Sequence, residues 1–231
     1  MNDELGVMND ELDATNSALI TQHSSLNKVP AIRFTEFSRE WEQASLNDIG
    51  DLKNGMNFDK SAMGHGFPFV NLQDVFGKNQ INGVALDLAY STDNQRKEYN
   101  LLEGDVLFIR SSVKPEGVGE TAVISETLDN TTYSGFIIRF RPNIDMSKEF
   151  NRFLYANKNI RKQILSSATS SANTNINQEA LKKILLVLPK IKEQTKIGNF
   201  FQQFDTLITQ HKSQLTKLNT IKQALLAKMF V

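Results

Sequence analysis

Four short segments of this chain concentrate side chains that can hydrogen-bond to bases and phosphates. Asn and Gln can form two bonds to adenine, Arg and Lys can do the same to guanine, and hydroxyls can bond either bases or phosphates. The segments combine these types with glycines and turns. The candidate DNA-binding residues are Lys53, Asn54, Asn57, Lys60, Asn71, Gln73, Arg110, Ser111, Ser112, Lys114, Ser170, Asn173 and Asn175.

Each of these segments, taken singly, is also typical of a solvated loop. The run of small hydroxyl and amide residues at 166–175 can form turns by capping its own backbone. Only the combination of several such segments in one domain favours nucleic acid.

The sequence lacks the motifs of the common enzyme classes. It has no G-x-x-x-x-G-K-[ST] phosphate loop, no H-E-x-x-H zinc helix and no G-x-S-x-G elbow. It has no Pro-Pro pair, which the catalytic loop of an adenine methyltransferase would need, and its three histidines, His23, His65 and His211, are scattered. With no cysteine there is neither a disulfide nor a thiolate-ligated metal. We therefore predict a non-catalytic protein with no cofactor and no metal.

The elements that must position these segments form a mixed α and β region. Apolar, β-branched runs predict strands at Val106–Arg110, Thr121–Ser125 and Gly135–Phe140. The spacing of apolar residues through Phe150–Ser167, which contains no Gly or Pro, predicts one helix.

Residues beyond Pro189 predict a single long helix. Alternate steps of four and three follow a mostly apolar seam, which is the spacing of a coiled coil. A helix over residues 192–229 would be about 57 Å long, which is too long for most helices of a compact domain. We expect a projecting, paired helix, although a core helix also fits. Its candidate interface residues are Ile197, Phe201, Phe204, Ile208, His211, Leu215, Leu218, Leu225 and Met229.

The two ends of the chain carry opposite charge. Residues 1–27 have five acidic residues and no Lys or Arg, giving −5, whereas residues 189–231 have seven Lys against Glu193 and Asp205, giving +5. The sequence Leu19–His23 recurs as Leu207–His211, so the N-terminal segment resembles a shorter copy of the final helix. The intervening region is balanced, unlike a strongly basic nucleic-acid binder. We therefore expect any DNA affinity to come from local clusters or a larger assembly.

The predicted organisation has three parts: an acidic segment at 1–28 that could form a short helix, a recognition domain at 29–188, and a long helix at 189–231. The fold class is α+β. The N-terminus has no secretory signal and no apolar run is long enough to cross a membrane, so a cytoplasmic location is expected.

Several motifs, in order, resemble the specificity subunit of type I restriction–modification systems. The opening Val29–Phe34 with Trp41-Glu42 is similar to the start of that family's target recognition domain. Gly104–Arg110 resembles its Gly-Asp-strand-Arg segment, Thr174–Asn177 resembles the end of the domain, and Leu188–Ile197 resembles the start of its conserved helix. The match covers roughly residues 29–231. The family usually carries two recognition domains and two long helices, so this chain resembles half of a specificity subunit.

The resemblance implies a DNA-recognition subunit that catalyses nothing itself. It implies double-stranded DNA, methyltransferase subunits and a restriction subunit as partners, and a homodimer through the final helix as the simplest way to restore two domains. Two other classes stay open at this point. One is a coiled-coil oligomerisation protein without DNA specificity, and the other is an enzyme whose site matches no known motif.

Overall fold

The computed structural model of this chain describes residues 28–170 and 173–230. Residues 1–27 lie outside the described part of the chain, so the predicted N-terminal helix and its likeness to Leu207–His211 do too. Over the described residues the fold is α+β, as predicted, with mixed sheets and a long C-terminal helix.

Short strands and short helices alternate through the first three-quarters of the chain. The strands are β1 (Glu42–Ser45), β2 (Gly50–Asn54), β3 (Met63–Val70), β4 (Gln80–Ile81), β5 (Asp87–Ala89), β6 (Val106–Ile109), β7 (Ser111–Ser112), β8 (Thr121–Ile124), β9 (Thr132–Tyr133), β10 (Ile137–Pro142), β11 (Thr169–Ser170), β12 (Thr174–Asn175) and β13 (Leu185–Leu188). The α-helices are α1 (Leu46–Ile49), α2 (Leu72–Val75), α3 (Asp93–Glu98), α4 (Lys148–Leu154), α5 (Lys158–Ser166), α6 (Gln178–Lys182) and α7 (Ile191–Met229), and 3₁₀ turns span Lys60–Ala62 and Pro115–Gly117.

A central five-stranded sheet organises the domain, in the order β2-β10-β6-β8-β4. Its neighbours are antiparallel except β4 and β8, which are parallel. Three smaller sheets surround it, in the orders β11-β12-β7, β5-β3-β9 and β1-β13.

Both faces of this central sheet are buried, which explains its continuous apolar runs. In β6, Val106 and Phe108 belong to the core beneath α4, α5 and α6, whereas Leu107 and Ile109 belong to a second core on the opposite face. The predicted strands at 106–110, 121–125 and 135–140 are present with shifted ends.

The single helix predicted over Phe150–Ser167 is wrong, because the structure divides this segment into α4 and α5. The second helix starts afresh at Asn157, whose side chain accepts a hydrogen bond from the Asn159 amide at 2.8 Å. Asn is a favoured N-cap because its oxygen satisfies an amide that has no helical partner. A helix can therefore begin here without a Gly or Pro before it.

Helix α7 starts on the domain and then leaves it. Gly198 packs against α4, where an added Cβ would meet the Phe150 amide nitrogen at 2.5 Å. At 39 residues the helix extends about 58 Å, and nearly all of its residues from Phe200 onward are exposed. The proposed domain limits at 29–188 and 189–231 remain a prediction, although β13 ends at Leu188 and α7 begins shortly after it.

Two adjacent buried side chains fix the base of this helix. Glu193 is 3% exposed and accepts two 2.7 Å hydrogen bonds from the Arg33 guanidinium and a 3.3 Å bond from Trp41 Nε1. Gln194, equally buried, accepts from the Ser147 amide and donates to the Pro189 carbonyl. The bond to Glu193 raises the pKa of the Arg33 side chain. We call these contacts the helix anchor.

Among the described helices, none is both long enough and apolar enough to cross a membrane.

Candidate nucleic-acid interface

The site begins at Arg110, directly after β6 ends at Ile109. The Arg110 amide donates to the Phe136 carbonyl at 2.8 Å, and its carbonyl accepts from the Ile176 amide at 2.9 Å. Its guanidinium donates through Nη1 to the Gly135 carbonyl at 3.2 Å. Arg110 thus joins three segments that are distant in sequence, and the short strand β7 leaves the central sheet directly after it.

Strand β7 supplies the next two predicted residues. Ser111 lies opposite Asn175 and Ser112 lies opposite Thr174 in the antiparallel pair of β7 and β12, and β11 pairs with the other edge of β12. The pairing therefore brings the hydroxyls of one predicted segment beside the amides of another, more than sixty residues away.

These segments surround a shallow groove of about 370 Å³. We call it the β7 groove. Its lining combines polar and apolar side chains. It is lined by Leu72, Phe76, Ser111, Ser112, Val113, Lys114, Phe136 and Asn173.

Contacts within the domain hold the lining of the β7 groove in place. The Phe76 ring lies over Gly117, where an added Cβ would meet the ring at 2.6 Å. The Lys114 amide donates to Ser112 Oγ at 3.2 Å, and Arg161 Nη2 donates to the Glu116 carbonyl at 2.6 Å. Burial lowers the pKa of Arg161, with Glu120 opposing that shift. The loop that carries Lys114 is therefore fixed at both of its ends.

Asn57 reaches the same neighbourhood through Gly135. Its Oδ1 occupies the space where a Cβ on Gly135 would stand, and the Gly135 amide donates to the Met56 carbonyl at 2.6 Å. A side chain at position 135 would displace the Asn57 amide from this place. The structure thus brings Asn57 next to Arg110, since both contact Gly135.

Other predicted residues have partners within the chain. Lys53 Nζ donates to Glu98 Oε1 at 2.9 Å and stands 4.5 Å from the centre of the Tyr99 ring. Asn71 caps α2, and Gln73 Nε2 donates to Asp87 Oδ2 at 2.6 Å.

The remaining predicted residues are distributed around this region. Asn54 ends β2 half-buried, Lys60 is exposed in a 3₁₀ turn, and Ser170 ends β11. Asn175 Nδ2 donates to the Asn173 carbonyl at 2.8 Å. Of the thirteen candidates, Ser111, Ser112, Lys114 and Asn173 line the groove. Arg110 and Asn175 are hydrogen-bonded to the lining residues Phe136 and Asn173, and Asn57 contacts Gly135.

Sequence reasoning missed the apolar part of the site. Phe76, Val113 and Phe136 are 42%, 81% and 57% exposed in the β7 groove. In the sequence they look like core residues, and Phe136 falls inside a predicted strand. Arg161, which bonds to the loop that carries Lys114, falls within a predicted helix, and nothing in the sequence indicates this contact.

The predicted helix interface forms an exposed stripe on α7. Ile197 is half-buried against the domain, and His211 is exposed. The other predicted residues are between 45% and 74% exposed: Phe201, Phe204, Ile208, Leu215, Leu218, Leu225 and Met229. Phe201 also contacts Phe153 of α4, with ring centres 5.4 Å apart.

Across the described residues, no three His, Cys, Asp or Glu side chains gather where they could hold a metal ion. Glu116, two residues after Lys114, is exposed, and no acidic residue is among the described residues that line the groove. The arrangement offers hydrogen-bond donors, one exposed ammonium and apolar contacts to a ligand.

Comparison with known families identifies the family of this chain. Residues 38–220 match the family model described as the type I restriction modification DNA specificity domain. The chain belongs to this family. The long helix that the family resemblance implied is present as α7.

Curated relatives and solved structures agree with this membership. The chain is 26% identical over 203 residues to the putative type I restriction enzyme MjaX specificity subunit of Methanocaldococcus jannaschii, covering 84% of this chain and 46% of the relative. It is 24% identical over 188 residues to the EcoKI specificity subunit of Escherichia coli K12, covering 79% and 40%. The HsdS subunit of Thermoanaerobacter tengcongensis shares the fold, with a TM-score of 0.55 at 19% identity over 97% of this chain and 54% of that one. The specificity domain thus spans less than half the length of the two curated relatives.

Proposed function

We propose that this chain recognises a specific sequence in double-stranded DNA on behalf of a type I restriction–modification enzyme. The observation that carries the proposal is the β7 groove, in which two predicted DNA-binding segments meet in a DNA specificity domain. A pure oligomerisation protein would not need this groove. In the full enzyme, methyltransferase and restriction subunits would supply the chemistry, and the chain would work in the cytoplasm, where DNA is found.

Residues along one loop suit different parts of the DNA. Arg110 leaves a buried strand with its guanidinium beside the groove, where a planar fork can bond two acceptors of a base. Lys114 is an exposed point charge at the rim, which suits a phosphate. The hydroxyls of Ser111 and Ser112 lie between them and can serve either base edges or phosphates.

The test is selection of binding sites by the purified full chain from a randomised duplex library, at several salt concentrations. We expect one sequence to be enriched, and we expect affinity to fall as salt rises. Arg110→Ala should relax the preference at one position, at a cost of about 1–3 kcal/mol. Its melting temperature must be measured in parallel, because loss of the bond to the Gly135 carbonyl also costs stability. Recovery of random sequence at every salt concentration would refute the proposal.

We propose further that the exposed stripe on α7 pairs with a second copy of this chain, antiparallel about a two-fold axis. The support is the stripe itself: seven predicted interface residues, from Phe201 to Met229, have exposed apolar side chains along α7. Burial of a large apolar side chain contributes about 1.5–3 kcal/mol, so the stripe favours a partner. The two-fold arrangement would give two recognition domains facing opposite ways. Methyltransferase subunits would then contact the paired helices.

A further inference from the structure

The β7 groove contains apolar side chains, and binding of phosphates would not explain their presence. Val113, at 81% exposed, is among the most exposed large apolar residues of the described chain, and Phe136 is 57% exposed. Both share the groove with the Asn173 amide and the Lys114 ammonium. Phosphates and sugars are bound by polar donors and cations, so apolar groups at this place point to a different part of the DNA.

The end of one short strand ladder brings the apolar and amide residues into the same groove. The two pairs of β7 and β12 are Ser111 with Asn175 and Ser112 with Thr174. Val113 follows Ser112 in the chain and Asn173 precedes Thr174, so both residues lie where this ladder ends. Both also line the β7 groove. A branched apolar side chain and an amide side chain therefore belong to one groove lining.

Resting on the proposed function, we infer that the β7 groove recognises an A·T pair from the major-groove side, with Val113 and Phe136 against the thymine methyl. Asparagine bonds the N6 and N7 groups of adenine, and the C5 methyl of thymine is the apolar group that bases display in the major groove. The minor-groove edge of an A·T pair displays only acceptors. An amide and apolar side chains in one groove lining thus match the two halves of one base pair.

The experiment replaces thymidine by deoxyuridine, one position at a time, in the duplex that the selection enriches. Deoxyuridine pairs with adenine in the same way and lacks only the methyl group. For the wild-type chain we expect about fourfold weaker binding at one position, the effect of losing one buried methyl-sized group. At that position, the difference between thymidine and deoxyuridine should vanish in Val113→Ala and shrink in Phe136→Ala.

Val84→Ala is the matched control. Val84 is 74% exposed but lies outside the groove, so this variant should keep the fourfold difference. Because Val113 is so exposed, its replacement should leave the melting temperature unchanged. The inference fails if no thymidine responds in the wild-type chain, or if the response survives in both groove variants. Sequence-specific binding in those cases would leave the proposed function standing, whereas absence of any enriched sequence would defeat both.

Discussion

Arg110 and Lys114 are cations at the two ends of one short segment, but the structure holds them differently. The Arg110 guanidinium is bonded to the Gly135 carbonyl, and its backbone joins three segments. Lys114 is fixed through its amide, and its side chain is exposed. A fixed fork suits discrimination between bases, whereas a mobile ammonium suits attraction to the DNA backbone. The two residues should therefore affect binding in different ways.

Lys114→Ala should weaken binding by a similar factor for all DNA sequences. Loss of one phosphate contact should reduce the slope of log affinity against log salt by about 0.9. Titration of the selected duplex and of a scrambled one across a salt series measures this. Lys158→Ala, an exposed lysine at the start of α5, should leave the slope unchanged. A loss confined to sequences that differ at one base pair would instead assign Lys114 to base recognition.

At the scale of elements, the helix anchor couples α7 to the domain. Its residues come from the segment before β1, from the loop before α4 and from the first turns of α7 itself. The single tryptophan, Trp41, donates to Glu193, so its fluorescence reports on the anchor directly. An exposed ion pair, Lys196 with Glu36, stands close to the buried pair in sequence and provides a comparison.

Glu193→Gln should destabilise the protein more than any change to an exposed ion pair, because it leaves the Arg33 guanidinium without its counter-charge next to a buried side chain. Urea unfolding followed by Trp41 fluorescence measures the change in the free energy of unfolding. Glu36→Gln, which breaks the exposed pair, should cost less than about 1 kcal/mol. Equal losses in the two variants would contradict a special role for the buried pair.

Gly198→Ala should destabilise the protein, by about 1–3 kcal/mol, although alanine is the better helix former. The added Cβ would collide with backbone atoms of Glu149 and Phe150, which cannot rotate away as side chains do. Thr206→Ala, at an exposed position of the same helix, should stabilise it by a few tenths of a kcal/mol. Thermal melting of both variants gives the two signs, and a stabilised Gly198→Ala would show that the helix base is not tightly packed.

Sequence patterns predicted the elements whose formation depends on the local order of apolar and polar residues. The strand at 106–109 follows from an apolar run, and the long helix follows from its spacing. The division between α4 and α5 was not predictable in this way, because Asn157 both continues the helical spacing and caps a new helix. Contacts distant in sequence were also out of reach: Lys53 finds Glu98 only after β2 and α3 come together. The exposure of Phe136 likewise depends on the segments at 72–76 and 111–114, which lie beside it only in the folded chain.

On the scale of the whole molecule, the domain carries the groove and α7 carries the stripe. In the function proposed above, the domain alone forms the recognition surface, whereas pairing of the helix sets the number of recognition surfaces. These two properties should respond to separate substitutions. DNA binding by one domain and assembly of two domains can therefore be tested independently.

The paired-helix proposal predicts a dimer at micromolar concentration, detected by sedimentation or light scattering. Phe204→Asp and Leu215→Asp should each convert it to a monomer, because each would bury a charge in the apolar seam. Gln203→Asp, at an exposed position that is not part of the stripe, should stay dimeric. The wild-type dimer should select an interrupted palindrome, because a two-fold dimer presents identical sites in opposite directions. A monomeric wild-type chain or a target without dyad symmetry would contradict the dimer and leave recognition by the single domain intact.

The pairing of β1 with β13 has a consequence for how recombination between related genes can produce new variants. Glu42 lies opposite Leu188 and Ser45 opposite Leu185, so the polypeptide leaves the domain about one strand spacing from where it came in. A gene segment that encodes residues 42–188 would therefore encode a structural unit, or cassette, whose two ends (its joints) lie on neighbouring strands. Exchanging the whole cassette would replace one specificity by another while preserving both joints. A crossover between Ser112 and Thr174 would separate these paired residues and produce a chimera with mismatched halves of one groove. New specificities should therefore arise by exchange of whole cassettes more readily than by recombination within them.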